Sequence, residues 1–159
     1  MDFIIRKATV NDVPAVLELI QQLADFEKEP GAVEVTLKEL EQAGFGDSPQ
    51  FTCFVAEVNN SIHGMALVYF RFSTWKGKTV HLEDLIVHKD WRRKGLGVAL
   101  YKRVLEYAKN EGVRRVEWVV LDWNTPAINF YKKSGANVLK DWYTVQMSEQ
   151  QISYYLSSN

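Results

Sequence analysis

The stretch Val87-His88-Lys89-Asp90-Trp91-Arg92-Arg93-Lys94-Gly95-Leu96-Gly97 decides how this chain folds. An apolar strand ends at Val87, three basic residues stand in a row, and two glycines lead onward. Leu96, Leu100, Val104 and Ala108 then step by four, which predicts a helix from Gly95 to Glu111, closed by Gly112. Glycine lets the backbone turn tightly and approach a ligand closely. The first amides of the helix have no internal partner, and the helix dipole adds positive character there. Such a turn suits a phosphate or pyrophosphate. A Walker loop needs Gly-Lys-Ser/Thr, yet Gly97 is followed by Val98 and Ala99. A Rossmann fingerprint needs a third glycine at position 100, which is leucine. On this hexapeptide alone, an anion cradle and a plain glycine-rich helix start both stay open.

Working outward, Phe3 to Ala8 predicts a first strand. Thr9 and Asp12 resemble a capping box ahead of an amphipathic helix that runs to about Phe26. Pro30-Gly31 breaks the chain, and Thr36 to Glu39 forms a second capping box for a short helix ending near Gly44. Phe51–Val58 and Ile62–Phe72 predict a hairpin joined through Asn59, Asn60 and Ser61. Trp75, Lys76 and Gly77 make the next turn, before a strand from about Val80 to Val87. Beyond the long helix, the valine-rich run Val113 to Leu121 predicts a buried strand. Asn124 caps a further helix, with Pro126 in its first turn and Gly135 past its end. A strand around Trp142 to Val145 and a polar segment from Ser148 to Gln151 complete the order. Early hairpins argue for antiparallel pairing, and the late strand-helix-strand unit argues for one parallel pair. The expected class is α/β with a mixed sheet.

The 159 residues suit one domain, 1–159. Net charge is −1, which points away from nucleic-acid and membrane-surface partners. A single cysteine, Cys53, excludes an internal disulfide, and its apolar strand marks it as an inert core residue. His63, His81 and His88 share no metal-ligand spacing, so no metal is expected. No basic leader and no membrane-length apolar run stand out, giving a cytoplasmic expectation. The informative charge is local: acidic Glu83 and Asp84 precede basic Arg92, Arg93 and Lys94 by a few residues. One end can attract an amine while the other holds an anion.

Arg92-x-x-Gly95-x-Gly97 after an apolar strand resembles the acetyl-CoA signature of the GNAT superfamily of N-acetyltransferases. Glu27, the Gly44–Gly46 turn, Phe54–Glu57, Leu82-Glu83-Asp84, Asp122-Trp123-Asn124 and Asn129-Phe130-Tyr131 extend the likeness to its diamine acetyltransferase branch. The resemblance implies a single-domain GNAT fold with a splayed central parallel strand pair. It implies acetyl-CoA as co-substrate: Leu85, Ile86 and Val87 along the pantetheine arm, the amides of Arg93, Lys94, Gly95, Leu96, Gly97 and Val98 around the pyrophosphate, and Arg92 at the entrance. Asn124 and Tyr131 line the cofactor, with the tyrosine near its sulfur. Glu83 and Asp84 match the amine side, where Glu27, Trp75 and Trp142 join as substrate-binding residues. Members of the branch are homodimers. The turn Ser73-Thr74-Trp75-Lys76-Gly77 is similar to that of thialysine N-epsilon-acetyltransferases and lacks the acidic residue and proline of the polyamine enzymes.

An alkylamine with pKa about 10.4 must lose a proton before it attacks, at a cost of about 4.6 kcal/mol at pH 7. Glu83 is the expected base, and Tyr131 the expected acid for the leaving thiolate. Two other functions compete: acetylation of a protein N-terminus or lysine, and acetyl-CoA sensing without turnover. A sensor needs neither Glu83 nor Tyr131.

Overall fold

Local signals set most element starts. The structure, a computed structural model, describes residues 2–158. The backbone amide of Thr9 donates to Asp12 Oδ2 at 2.8 Å, and the short 3₁₀ turn there feeds helix α1, Val13–Phe26. Thr36 and Glu39 close a reciprocal capping box at the start of α2, Leu37–Phe45. Helix α3, Leu96–Asn110, begins behind Gly95 and ends before Gly112.

Five strands form one sheet in the order β1 (Ile4–Lys7), β2 (Thr52–Val58), β3 (Ser61–Ser73), β4 (Gly77–Val87) and β5 (Val116–Glu117). The first four pair antiparallel, and β4 pairs parallel with β5, as the hairpins and the crossover helix require. The parallel ladder holds only two partners, Val80 with Val116 and His81 with Glu117. Past His81, β4 runs on for six residues without β5 beside it. The β4–β5 pair therefore forks beyond His81, at one edge of the described sheet.

The two faces bury different cores. Leu96, Leu100, Val104 and Ala108 of α3 pack on Phe54, Ala56, Ala66, Val68, Val80 and Leu82. Val16 and Leu19 of α1 pack on Cys53, Val55, Met65, Leu67 and Ile86. The four-step stripe read from the sequence is the buried face of α3; removing the fully buried Leu100 side chain would cost about 2–5 kcal/mol. Burial also pushes the Cys53 thiol up to about 12, which keeps it inert.

Two bulges interrupt the ladders. Between β2 and β3, Ala56 pairs with Gly64 and Glu57 with Ile62, so His63 is the extra residue. Between β3 and β4, Leu67 pairs with Asp84 and Val68 with Leu82, so Glu83 is the extra residue.

The described chain divides into two compact units at the Val119/Val120 boundary. The sheet and α1–α3 belong to the first. The second holds α4, Thr125–Lys133, and α5, Glu149–Ser157. Asn124 caps α4 by accepting from the Ala127 amide at 3.4 Å, and Gly135 follows with φ 92°.

Three expectations fail. The strand Val113–Leu121 shrinks to Val116–Glu117, since the chain leaves the sheet there and Val119 turns outward. Trp142–Val145 is not a strand; its side chains are exposed, and among the described residues no strand follows β5. Ser148–Gln151 is more than a polar segment. Ser148 accepts from the Gln151 amide and Gln151 Oε1 accepts from the Ser148 amide, the capping box that starts α5.

Candidate active site

Strand β4 carries the site toward its C-terminal end. The Glu83 bulge sits just past the fork, and the basic turn begins immediately after Val87. Four residues of extended chain separate Glu83 from Val87, on the order of 13 Å. An acidic end and a cationic end therefore flank the open edge of β4 formed by Leu85, Ile86 and Val87.

At the acidic end, the Glu83 carboxylate is half exposed. Its Oε2 accepts from the Tyr69 hydroxyl at 3.0 Å and lies 3.4 Å from His81 Nε2. These contacts, His81 first, hold its pKa below the ordinary carboxylate range despite partial burial. Both contacts fall on Oε2; Oε1 has no hydrogen bond among the described residues. Asp84 is the opposite case. Burial pushes its carboxyl up to about 6, and the charges of Glu83 and Glu27 push the same way. Glu27, the C-cap of α1, is itself raised by burial. Three carboxylates converge here with no basic side chain among the charges acting on Asp84. That arrangement attracts a cation.

At the cationic end, Arg93 has φ 61° and Gly95 φ 90°, two left-handed residues in one short turn. Such alternation aims successive amides into one concavity that fits an anion. Arg92 Nε donates to the Val87 carbonyl at 3.2 Å, and its guanidinium lies 5.2 Å from the Phe26 ring. Lys94 Nζ stands 4.4 Å from the Trp91 ring, whose other partner is the stacked His63 imidazole, 4.1 Å away. The His63 bulge also accepts the His88 amide at 2.8 Å, tying the turn to β3. Gly95 needs its left-handed backbone. Gly97 does not, and a Cβ there would meet only Val87 Cγ2 at 3.6 Å, an ordinary contact. Packing therefore leaves Gly97 free to be larger, so the bare backbone fits a ligand pressed against Leu96–Val98. The donors, charges and clearance suit an anion such as a pyrophosphate.

The structure brings Glu27, Glu83 and Asp84 together and sets Arg92–Val98 beyond them. It keeps Trp75 apart: this side chain is exposed at the β3–β4 hairpin tip, about 20 Å along the strand from Glu83. Asn124, Tyr131 and Trp142 lie in the second unit. Tyr131 is a buried residue of α4 whose carbonyl accepts from the Ser134 hydroxyl at 2.7 Å, while Trp142 is exposed. Sequence reasoning missed Tyr69 and His81 as neighbours of Glu83, because only the pairing of β3 with β4 reveals them. Alternation along β3 was the available signal for Tyr69.

Residues 15–136 match the acetyltransferase (GNAT) family. Thialysine N-epsilon-acetyltransferase of Mus musculus is 38% identical over 145 residues, covering 86% of this chain and 85% of that protein. Its Caenorhabditis elegans counterpart is 33% identical and covers 97% of each chain. L-ornithine N5-acetyltransferase of Arabidopsis thaliana is 33% identical, covering 87% of this chain and 81% of its own. Among solved structures, AAC(6')-Iy in complex with the bisubstrate analog CoA-S-monomethyl-acetylneamine superposes with TM-score 0.75 at 17% identity, covering 93% of this chain and 99% of that one. That likeness is one of fold.

Proposed function

The chain belongs to the acetyltransferase (GNAT) family, and on that premise we propose that it acetylates the primary amine of a small molecule, an amino acid of the thialysine or ornithine kind or a related diamine, by direct attack on the acetyl-CoA thioester. The observation that carries this reading is the single strand with carboxylates at one end of its open edge and an anion cradle at the other.

The ammonium group enters against Glu27, Glu83 and Asp84. Glu83, ionised and with Oε1 free of hydrogen bonds among the described residues, takes the proton, directly or through a water. The neutral nitrogen then forms a bond to the acetyl carbon, and the carbon–sulfur bond breaks. The second proton shed by the nitrogen replaces the one that Tyr131 gives up, while the first passes from Glu83 to water. A backbone amide between Leu85 and Val87 stabilises the oxyanion. Tyr131 supplies the proton to the CoA thiolate, and Asn124 lines the cofactor, the roles that family resemblance implies for them. Asp84 must be ionised for the acidic end to hold its full charge. The absence of an acidic residue at Ser73–Thr74 supports an amino acid over a polyamine. The matched span crosses the boundary at Val119, which supports reading 1–159 as one acetyltransferase domain. Among the described residues no helix is long and apolar enough to cross a membrane. A cytoplasmic homodimer completes the proposal, and Trp142 keeps the amine-side role that family resemblance implies for it.

The test is CoA release from acetyl-CoA against thialysine, lysine, ornithine, putrescine, spermidine, spermine and an N-terminal peptide. Turnover concentrated on thialysine and ornithine is expected. Preferred turnover of the peptide, or tight acetyl-CoA binding with no turnover, would replace this reading with a protein acetyltransferase or a sensor.

A further inference from the structure

Glu83 is the residue of the site with the most elaborate support, and that support reaches across three strands. Tyr69 of β3, His81 of β4 and Glu117 of β5 stand in one row, since His81 pairs with Tyr69 on one side and with Glu117 on the other. His81 is buried, and its ring lies 5.1 Å from that of Tyr69. Arg71, two residues along β3, places Nη1 3.1 Å from His81 Nδ1 and 2.9 Å from Glu117 Oε1. Arg115 Nε lies 2.8 Å from the other oxygen of Glu117.

A guanidinium only donates. Nδ1 of His81 must therefore accept, so its proton sits on Nε2, the nitrogen that faces Glu83 Oε2 at 3.4 Å. We propose that His81 is a positioning residue for Glu83: Arg71, held by Glu117, fixes the imidazole as its Nε2–H tautomer, and that N–H with the Tyr69 hydroxyl pins one carboxylate oxygen while the other faces the incoming amine. The row lies at the last paired position before β4 and β5 part, so the same Arg71–Glu117 ion pair spans the fork from β3 to β5. In the chain Glu117–Arg71–His81–Glu83 charged groups of opposite sign flank the imidazole, and Arg71 leaves the ring one defined orientation.

The proposal rests on the assignment of Glu83 to the amine side, and a double-mutant cycle separates the two. His81→Phe is expected to lower kcat/KM for the amine about tenfold, the worth of one hydrogen bond to a charged group, while the KM for acetyl-CoA stays within about twofold. In a Glu83→Gln background the same substitution should change kcat/KM little. His81→Gln, which keeps a donor at the Nε2 position, should restore most of the loss. Nitrogen NMR of the wild-type protein should show a neutral His81 with its proton on Nε2, and a tautomer mixture in Arg71→Met. An equal loss from His81→Phe in both backgrounds overturns the proposal, as does an Nδ1–H or doubly protonated ring at pH 7.5. If Glu83→Gln alone leaves turnover unchanged, the assignment of Glu83 fails and the proposal falls with it. If His81→Phe does not fold, the glutamine variant and the wild-type tautomer still decide.

Discussion

Two groups of carboxylates occupy the sheet-bearing unit, and they are treated in opposite ways. At the β1–β2 edge, Arg6 gives two hydrogen bonds to Asp12 at 2.7 and 2.9 Å and a third to Glu57 at 2.6 Å. This clamp, chiefly the hydrogen bonding to Arg6, holds Asp12 down at about 2. Past the fork, Glu27, Glu83 and Asp84 gather with no arginine hydrogen-bonded to any of them among the described residues, and Asp84 stands near 6. The first group is a closed account of charge; the second leaves a deficit that a ligand's ammonium can fill. Perturbed carboxyls of the second kind mark sites of chemistry.

Four experiments break or sharpen that contrast. The largest effect belongs to Glu83→Gln, which should lower kcat/KM roughly 10²–10³-fold in the CoA-release assay while the melting temperature hardly moves. On the other side, Arg6→Met leaves Asp12 and Glu57 facing each other without a cation. It should destabilise the fold by about 2–4 kcal/mol in urea titration and leave the KM for both substrates unchanged.

Asp84→Asn comes next, and its sign is opposite. A carboxyl raised in the folded state contributes stability that is fully present below the unfolded value near 4 and is lost as pH rises through about 6. The amide should therefore stabilise the protein by about 1–3 kcal/mol at pH 8 and by nothing below pH 4. Wild-type kcat/KM should also rise through about pH 6 as Asp84 ionises, a limb absent from the amide variant. Asp12, lowered instead of raised, loses its contribution as pH falls from 4 toward 2, so the two groups tilt the stability curve in opposite directions. The smallest effect is Gly97→Ala. It should raise the KM for acetyl-CoA about tenfold, and helix propensity should leave stability equal or higher by up to about 1 kcal/mol. A fall in stability would mean that packing, not a ligand, requires this glycine.

Much of this was legible in the sequence where the signal is local. Thr36 and Glu39 declare a helix start within four residues, and Gly95 declares a left-handed turn by itself. The four-step stripe of α3 gave its buried face. Ser148 and Gln151 carried an equally local capping signal, but polar composition hid it until the backbone was seen. Val113–Leu121 is rich in strand-forming residues, yet a strand also needs a neighbour, and propensity cannot supply one. The site was legible in its residue types and not in their charge states. Glu83 and Asp84 are adjacent acids in the sequence; that one is held low and the other pushed up follows from Tyr69, His81 and Glu27, which pairing and helix packing deliver from elsewhere. Likewise nothing in Arg71 or Glu117 taken singly points to the amine side. Their meaning lies in the register of three strands.

The bulge at Glu83 has a consequence for how such a protein can change. Every other position on this half of β4 answers to a cross-strand partner or a helix, so replacing it disturbs folding before it alters specificity. The extra residue answers to neither ladder. Variation at 83 itself is thus filtered by catalysis more than by foldability, which makes this the place where a lineage can explore new amines while the scaffold stays intact.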